Sequence, residues 1–194
     1  CATRSYIADP DVSVGVAMLG SELSLDFDAS GALRNEGIGE VLVRGPQVMK
    51  GYFRDPEQTT AVLDCTGAFH TGDLGRFDEQ GRLHIVGRTK ELIIRSGFNV
   101  YPVEVEAALT EHPDVIVAGV VGRSVEGNEE VLAFVKTDPD SDLSEAQLRA
   151  HLETRLAPYK RPSHIVIAFD LPAAPTGKIL KSQLIPHFAD RLPD

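Results

Sequence analysis

The stretch PVEVEAALTEHPDVIVAGVV, residues 102–121, decides how this chain folds. Its first half sets Pro102 where a helix can open, since a first-turn N–H has no intrahelical partner to lose, and then puts Val105, Ala108 and Leu109 on one helical face. Its second half is a continuous apolar run of strand length, the pattern of a strand in a sheet covered by helices. EVLAFV, residues 130–135, is a second such run. Further on, LSEAQLRAHLETRL, residues 143–156, is the best marked helix. Ser144 and Gln147 form a capping box, Leu143 and Leu148 staple its start, and Leu148, Leu152 and Leu156 repeat every four residues. HIVIAF, residues 164–169, reads as a further strand, and a short tail helix carrying Lys178 follows it.

Upstream of about Arg88 the texture is different. VGVAMLG (14–20), LSLDF (23–27), EVLVRG (40–45) and FDEQGRLHIVGR (77–88) read as short strands. Asp28–Gly31 and Asp78–Gly81 read as turns, because glycine accepts positive φ and aspartate bonds back to its own backbone. The expected class is α+β: a β-rich subdomain over residues 1–87, then a small mobile domain over residues 88–194 with a central sheet flanked by helices.

Bulk composition narrows the function. The 194 residues are 42% hydrophobic, enough for a real core, and carry a formal net charge of −10. That balance argues against a nucleic-acid or anionic-membrane surface, which needs a basic face, so any phosphate contact must be local. Cys1 and Cys65 are too few and too far apart for a zinc cluster or a disulfide framework, and a reducing cytoplasm is expected. No run of about 18 apolar residues suggests a membrane span. The chain starts abruptly on cysteine in apolar material, which reads as a piece of something longer. The six histidines show no HExxH spacing, and no metal site is expected. Glu104 with Glu106, and Glu129 with Glu130, read as solvated faces.

Three glycine-bearing stretches remain, each presenting one polar residue: TGDLG (71–75), GRTKELIIRSGFNVYP (87–102) and PTGKILK (175–181). Singly they have plain readings: Asp73 caps its own turn, and Lys178 is a solvated lysine, the ordinary state of that residue. Taken with GEVLVRGPQVMKGYF (39–53), their order and spacing resemble the adenylate-forming superfamily of acyl-CoA synthetases, peptide-synthetase adenylation domains and luciferases. The match is collinear from about Val14 to Leu184. It implies a C-terminal segment: the last β subdomain of the family's large domain and the whole small domain.

Members of that family activate a carboxylic acid with ATP, held with Mg2+ mainly by the large domain, and pass the acyl group from an acyl-adenylate to a thiol. On this resemblance Asp73 accepts hydrogen bonds from the ribose hydroxyls, a task that suits a carboxylate's two acceptor oxygens. Arg88 also reaches the ribose. Lys90 falls at the hinge that swings the small domain between two poses. Lys178 matches the catalytic lysine, whose ammonium bridges the acyl carboxylate and the α-phosphate as charge builds. After rotation Ser96 and Gly97 line the pantetheine tunnel, and Lys160 and Arg161 meet the phosphates of CoA. Ile94 departs from the pattern, since many relatives carry lysine there. The β- and γ-phosphate loop, the adenine motif and the acyl pocket are not found in these residues.

The function expected is that of an ATP-dependent acid:CoA ligase, with this segment inactive by itself. A carrier-protein-loading adenylation domain usually has aspartate at the hinge and an RxELGE type of sequence after the glycine; here stand Lys90 and FNVYPVEVE (98–106). A fatty-acyl-AMP ligase that stops short of CoA is a further alternative. So is a non-catalytic remnant acting as an interaction module, against which Asp73, Arg88, Lys90 and Lys178 all argue. Fatty, aromatic and short dicarboxylic acids stay open as substrates.

Overall fold

The computed structural model describes residues 13–27 and 36–193, so the turn expected at Asp28–Gly31 lies outside the described residues. The chain is mixed α+β and divides into two compact units at the junction of Lys90 and Glu91.

The first unit is an antiparallel sheet of four strands in chain order: β1 (Glu22–Asp26), β2 (Gly39–Arg44), β3 (Phe69–Phe77) and β4 (Leu83–Arg88). Val41, Ala68, Leu74 and Leu83 are buried. The turn between β3 and β4 forms as its sequence predicts: Asp78 Oδ1 accepts the N–H groups of Gln80 and Arg82 at 3.0 and 2.8 Å. Two expectations are corrected. Residues 14–20 supply an isolated bridge between Gly15 and Leu83 rather than a strand, because the positive φ of Gly15 (87°) and Gly20 (82°) breaks the pleat. A short helix, α1 (Pro56–Val62), was not foreseen; Asp55 caps it by accepting the Gln58 N–H at 2.9 Å, with proline in its first turn.

The second unit opens with a hairpin, β5 (Ile93–Arg95) and β6 (Phe98–Val100), and continues through α2 (Pro102–Thr110), β7 (Val115–Val125), β8 (Asn128–Thr137), α3 (Glu145–Glu153), β9 (His164–Ala168) and α4 (Lys181–His187). Strands β7 and β8 pair antiparallel, β8 and β9 parallel. The continuous apolar runs have the physical meaning expected of them. On β8, Val131, Ala133 and Val135 face one core with α2 and α3, while Leu132 and Phe134 face another with Leu184 and Phe188. Val105, Ala108 and Leu109 are buried along α2, as are Leu148, Leu152 and Leu156 in and just after α3. Burial at this level contributes about 1.5–3 kcal/mol per large side chain. The capping box is present in full, with Ser144 and Gln147 each accepting from the other's backbone N–H.

Candidate functional site

In the first unit the polar residue of TGDLG lies within β3, not in a turn. A buried glutamate is what distorts the strand there. Glu40, on β2 and 8% exposed, accepts the Gly72 N–H on Oε1 at 2.9 Å, and its Oε2 lies 3.0 Å from His70 Nδ1. Gly72 takes φ 72°, the β2–β3 register shifts between Glu40 and Leu42, and the β3–β4 register shifts at Leu74. Thr71 Oγ1 donates to the Val41 carbonyl and accepts the Asp73 N–H. The result is a bulge that re-aims the strand without reversing it. Asp73 stands directly opposite Arg88 across the β3–β4 pairing, and Arg88 Nε donates to Asp73 Oδ1 at 2.9 Å. The pair is partly exposed, 35% for Asp73 and 53% for Arg88, so both can reach a ligand.

The same neighbourhood holds Asp26, Glu40 and His70 with ligating atoms within 4.8 Å of one another. Both Glu40 oxygens are engaged within the protein, by His70 and by the Gly72 N–H.

In the second unit, Ser96 and Gly97 form the two-residue turn of the β5–β6 hairpin, with φ of 52° and 81°. Serine rarely adopts that conformation, and here Asn128 holds it: Oδ1 accepts the Ser96 N–H at 2.6 Å, and Nδ2 donates to Ser96 Oγ. Lys160 and Arg161 are engaged internally. Lys160 Nζ donates to both oxygens of Glu104 at 2.6 and 2.8 Å, and Arg161 donates to the carbonyls of Leu156 and Glu153. The carboxylates read as solvated faces are likewise taken up. Glu106 accepts the Val120 N–H, Glu129 accepts the Ile94 N–H, and Glu130 pairs with Arg123.

Lys178 precedes α4 rather than riding on it, since that helix begins at Lys181. It sits on a small loop closed by an Ala173–Ile179 bridge and by Ala174 N–H to Lys178 carbonyl, with Gly177 at φ 83°. Pro175, three residues before it, and the left-handed Gly177 immediately before it turn the chain sharply, and α4 begins only beyond that turn. The Lys178 residue is exposed, and among the described residues its ammonium makes no ion pair. Lys90 is also exposed, in a 3-10 turn at Thr89–Glu91.

The sequence reading missed Glu40, Asn128, and the ion cluster in which Lys181 Nζ meets Glu91 at 2.6 Å and Glu106 at 2.8 Å. Only Lys181 left a local signal, as a second cation three residues beyond Lys178.

Residues 104–178 match the AMP-binding enzyme C-terminal domain, and this part of the chain belongs to that family. It is 40% identical to 4-coumarate-CoA ligase 2 of Narcissus pseudonarcissus, over 89% of this chain and 31% of that protein. It is 42% identical to 2-succinylbenzoate–CoA ligase of Geobacillus kaustophilus (strain HTA426), over 89% of this chain and 35% of that one. Among solved structures, ATP-bound MatB from Rhodopseudomonas palustris superposes with a TM-score of 0.81 at 36% identity, covering 93% of this chain and 36% of that chain. The chain thus spans about a third of the length of these relatives. No helix among the described residues is long and apolar enough to cross a membrane.

Proposed function

We propose that this chain is the C-terminal part of an ATP-dependent acid:CoA ligase that works in the cytoplasm through an acyl-adenylate. Residues 1–87 belong to its large domain and residues 88–194 form its mobile small domain. Asp73 and Arg88 hold the ribose, Lys90 is the pivot, and Lys178 stabilises charge while the adenylate forms. Ser96 and Gly97 pass the pantetheine arm, where a glycine lets a ligand lie close to the backbone. Lys160 and Arg161 serve the CoA phosphates. ATP with Mg2+ supplies the leaving pyrophosphate, and the carboxylic acid is fixed by residues other than these.

The observation that carries the reading is Lys178. A lysine on a sharp loop, exposed and unpaired in a chain of net charge −10, is held for a partner from outside. An ammonium delivered to a carboxylate and a phosphate lowers the barrier by meeting charge where it develops. The test separates the half-reactions in the full-length enzyme. Lys178→Ala should cut pyrophosphate release from acid and ATP by roughly 100-fold to 1000-fold, the loss typical of one charge-stabilising donor. It should leave thioester formation from supplied acyl-adenylate and CoA close to normal. Normal rates in both assays would make Lys178 an ordinary surface lysine.

A further inference from the structure

Lys178 and Lys181 line one cavity of about 590 Å3 together with two carboxylates, Glu91 and Glu106. Only Lys181 is engaged with them, 2.6 Å from Glu91 Oε2 and 2.8 Å from Glu106 Oε1. Glu106 is fixed independently, because the same Oε1 accepts the Val120 N–H of β7 at 2.8 Å. All three side chains are partly buried, with exposures of 25%, 33% and 19% for Lys181, Glu91 and Glu106. Burial alone would push the Lys181 ammonium down, yet its hydrogen bonds to Glu106 and Glu91 outweigh that and hold it above its ordinary value.

Two carboxylates in one cavity draw whatever cation is nearest, and the catalytic loop brings a second lysine on a flexible four-carbon stem to the same cavity. We propose that Lys181 is a positioning residue that occupies the Glu91–Glu106 pair and so keeps the Lys178 ammonium unpaired for substrate. Without Lys181 the carboxylates are left uncompensated, a costly state when half-buried, and Lys178 folds back onto them. An enzyme whose lysine is captured must break that pair before each adenylation, so its rate falls by the captured fraction. The consequence for catalysis rests on the ligase reading above; the capture itself is a property of the 194-residue chain.

The capture is measured on this chain by the rate at which a water-soluble acetylating ester modifies Lys178, followed by mass spectrometry. Lys181→Met should slow that modification roughly fivefold, the population cost of an ion pair worth up to about 1 kcal/mol. Adding Glu91→Gln and Glu106→Gln to Lys181→Met should restore the original rate, since glutamine still accepts the Val120 N–H but attracts no cation. Lys181→Arg should behave as the wild type. Where Lys181→Met does not fold, its combination with Glu106→Gln leaves one carboxylate to compensate and should give an intermediate slowing. In the full-length enzyme the same series should lower and then restore adenylation, with thioester formation from supplied adenylate unchanged. Equal modification of Lys178 in folded wild-type and Lys181→Met chains would overturn the proposal, as would failure of the two glutamines to restore it. A full-length enzyme that adenylates no acid while the modification series behaves as expected would remove the ligase reading and leave the capture standing.

Discussion

Replacing Glu40 by alanine tests whether the bulge in β3 is held by a buried carboxylate. The substitution removes the acceptor of the Gly72 N–H at 2.9 Å and the partner of His70 Nδ1 at 3.0 Å, at a position only 8% exposed. A hydrogen bond to a charged acceptor contributes about 1.5–3 kcal/mol, and the Gly72 amide would be left without a partner. His70 keeps 29% of its side-chain surface in solvent, so water replaces part of its share. The expected cost is therefore nearer one full bond than two, about 3 kcal/mol. At about 4–8 °C per kcal/mol for a unit of under 100 residues, the first unit should melt roughly 12–24 °C lower. Glu40→Gln keeps an acceptor for Gly72 and should cost about 1 kcal/mol. Differential scanning calorimetry of the chain reads the stability, and the KM for ATP in the full-length enzyme should rise more than the KM for the acid as Asp73 loses its support. An alanine variant that melts with the wild type, or a glutamine variant as damaged as the alanine one, would refute the clamp.

Lys90→Pro in the full-length enzyme should slow thioester formation more than adenylation, because proline fixes φ near −65° at the pivot; equal loss in both half-reactions would count against Lys90 as the hinge. Asp64 supplies a pH dependence of known sign. Thr66 Oγ1, the Ala68 N–H and the Thr66 N–H all donate to its carboxylate and lower its pKa from 3.8 to about 2. A depressed pKa gives stability that is complete above about pH 4 and is lost as the pH falls through about 2. Asp64→Asn should remove that dependence from acid unfolding followed by circular dichroism, and an unchanged profile would show that the turn does not feel the charge.

What the sequence revealed follows from the range of each interaction. The capping box of Ser144 and Gln147, the apolar face of α2 and the turn at Asp78 are made between residues at most a few positions apart, so composition and period expose them. The start of α1 was equally local, since Asp55 and Pro56 are a helix signal, and the β-rich context hid it. Glu40 and Gly72 are 32 residues apart, and Lys181 and Glu91 are 90 apart. No period announces such a pair; it exists only once strand register and helix placement bring the ends together. That is why Glu104, Glu106, Glu129 and Glu130 looked like solvated acids and proved to be ligands of backbone amides and cations.

The chain has six lysines, at 50, 90, 136, 160, 178 and 181, against 29 acidic residues, so a nearby carboxylate is seldom lacking. Lys136, Lys160 and Lys181 have each found one, while among the described residues Lys50, Lys90 and Lys178 make no ion pair. Two of those three are the residues we propose as pivot and catalyst, and an unpaired ammonium is what both tasks need. A pivot tied by its side chain would resist rotation, and a catalyst already neutralised would have to be freed in every cycle. Lys160 differs: both of its short bonds go to Glu104, so in its proposed role a phosphate of CoA would have to displace a carboxylate to reach it. In the proposed roles, its contribution to CoA binding should therefore be a small difference between two similar ion pairs, whereas Lys178 would meet the adenylation substrates without first giving up an ion pair.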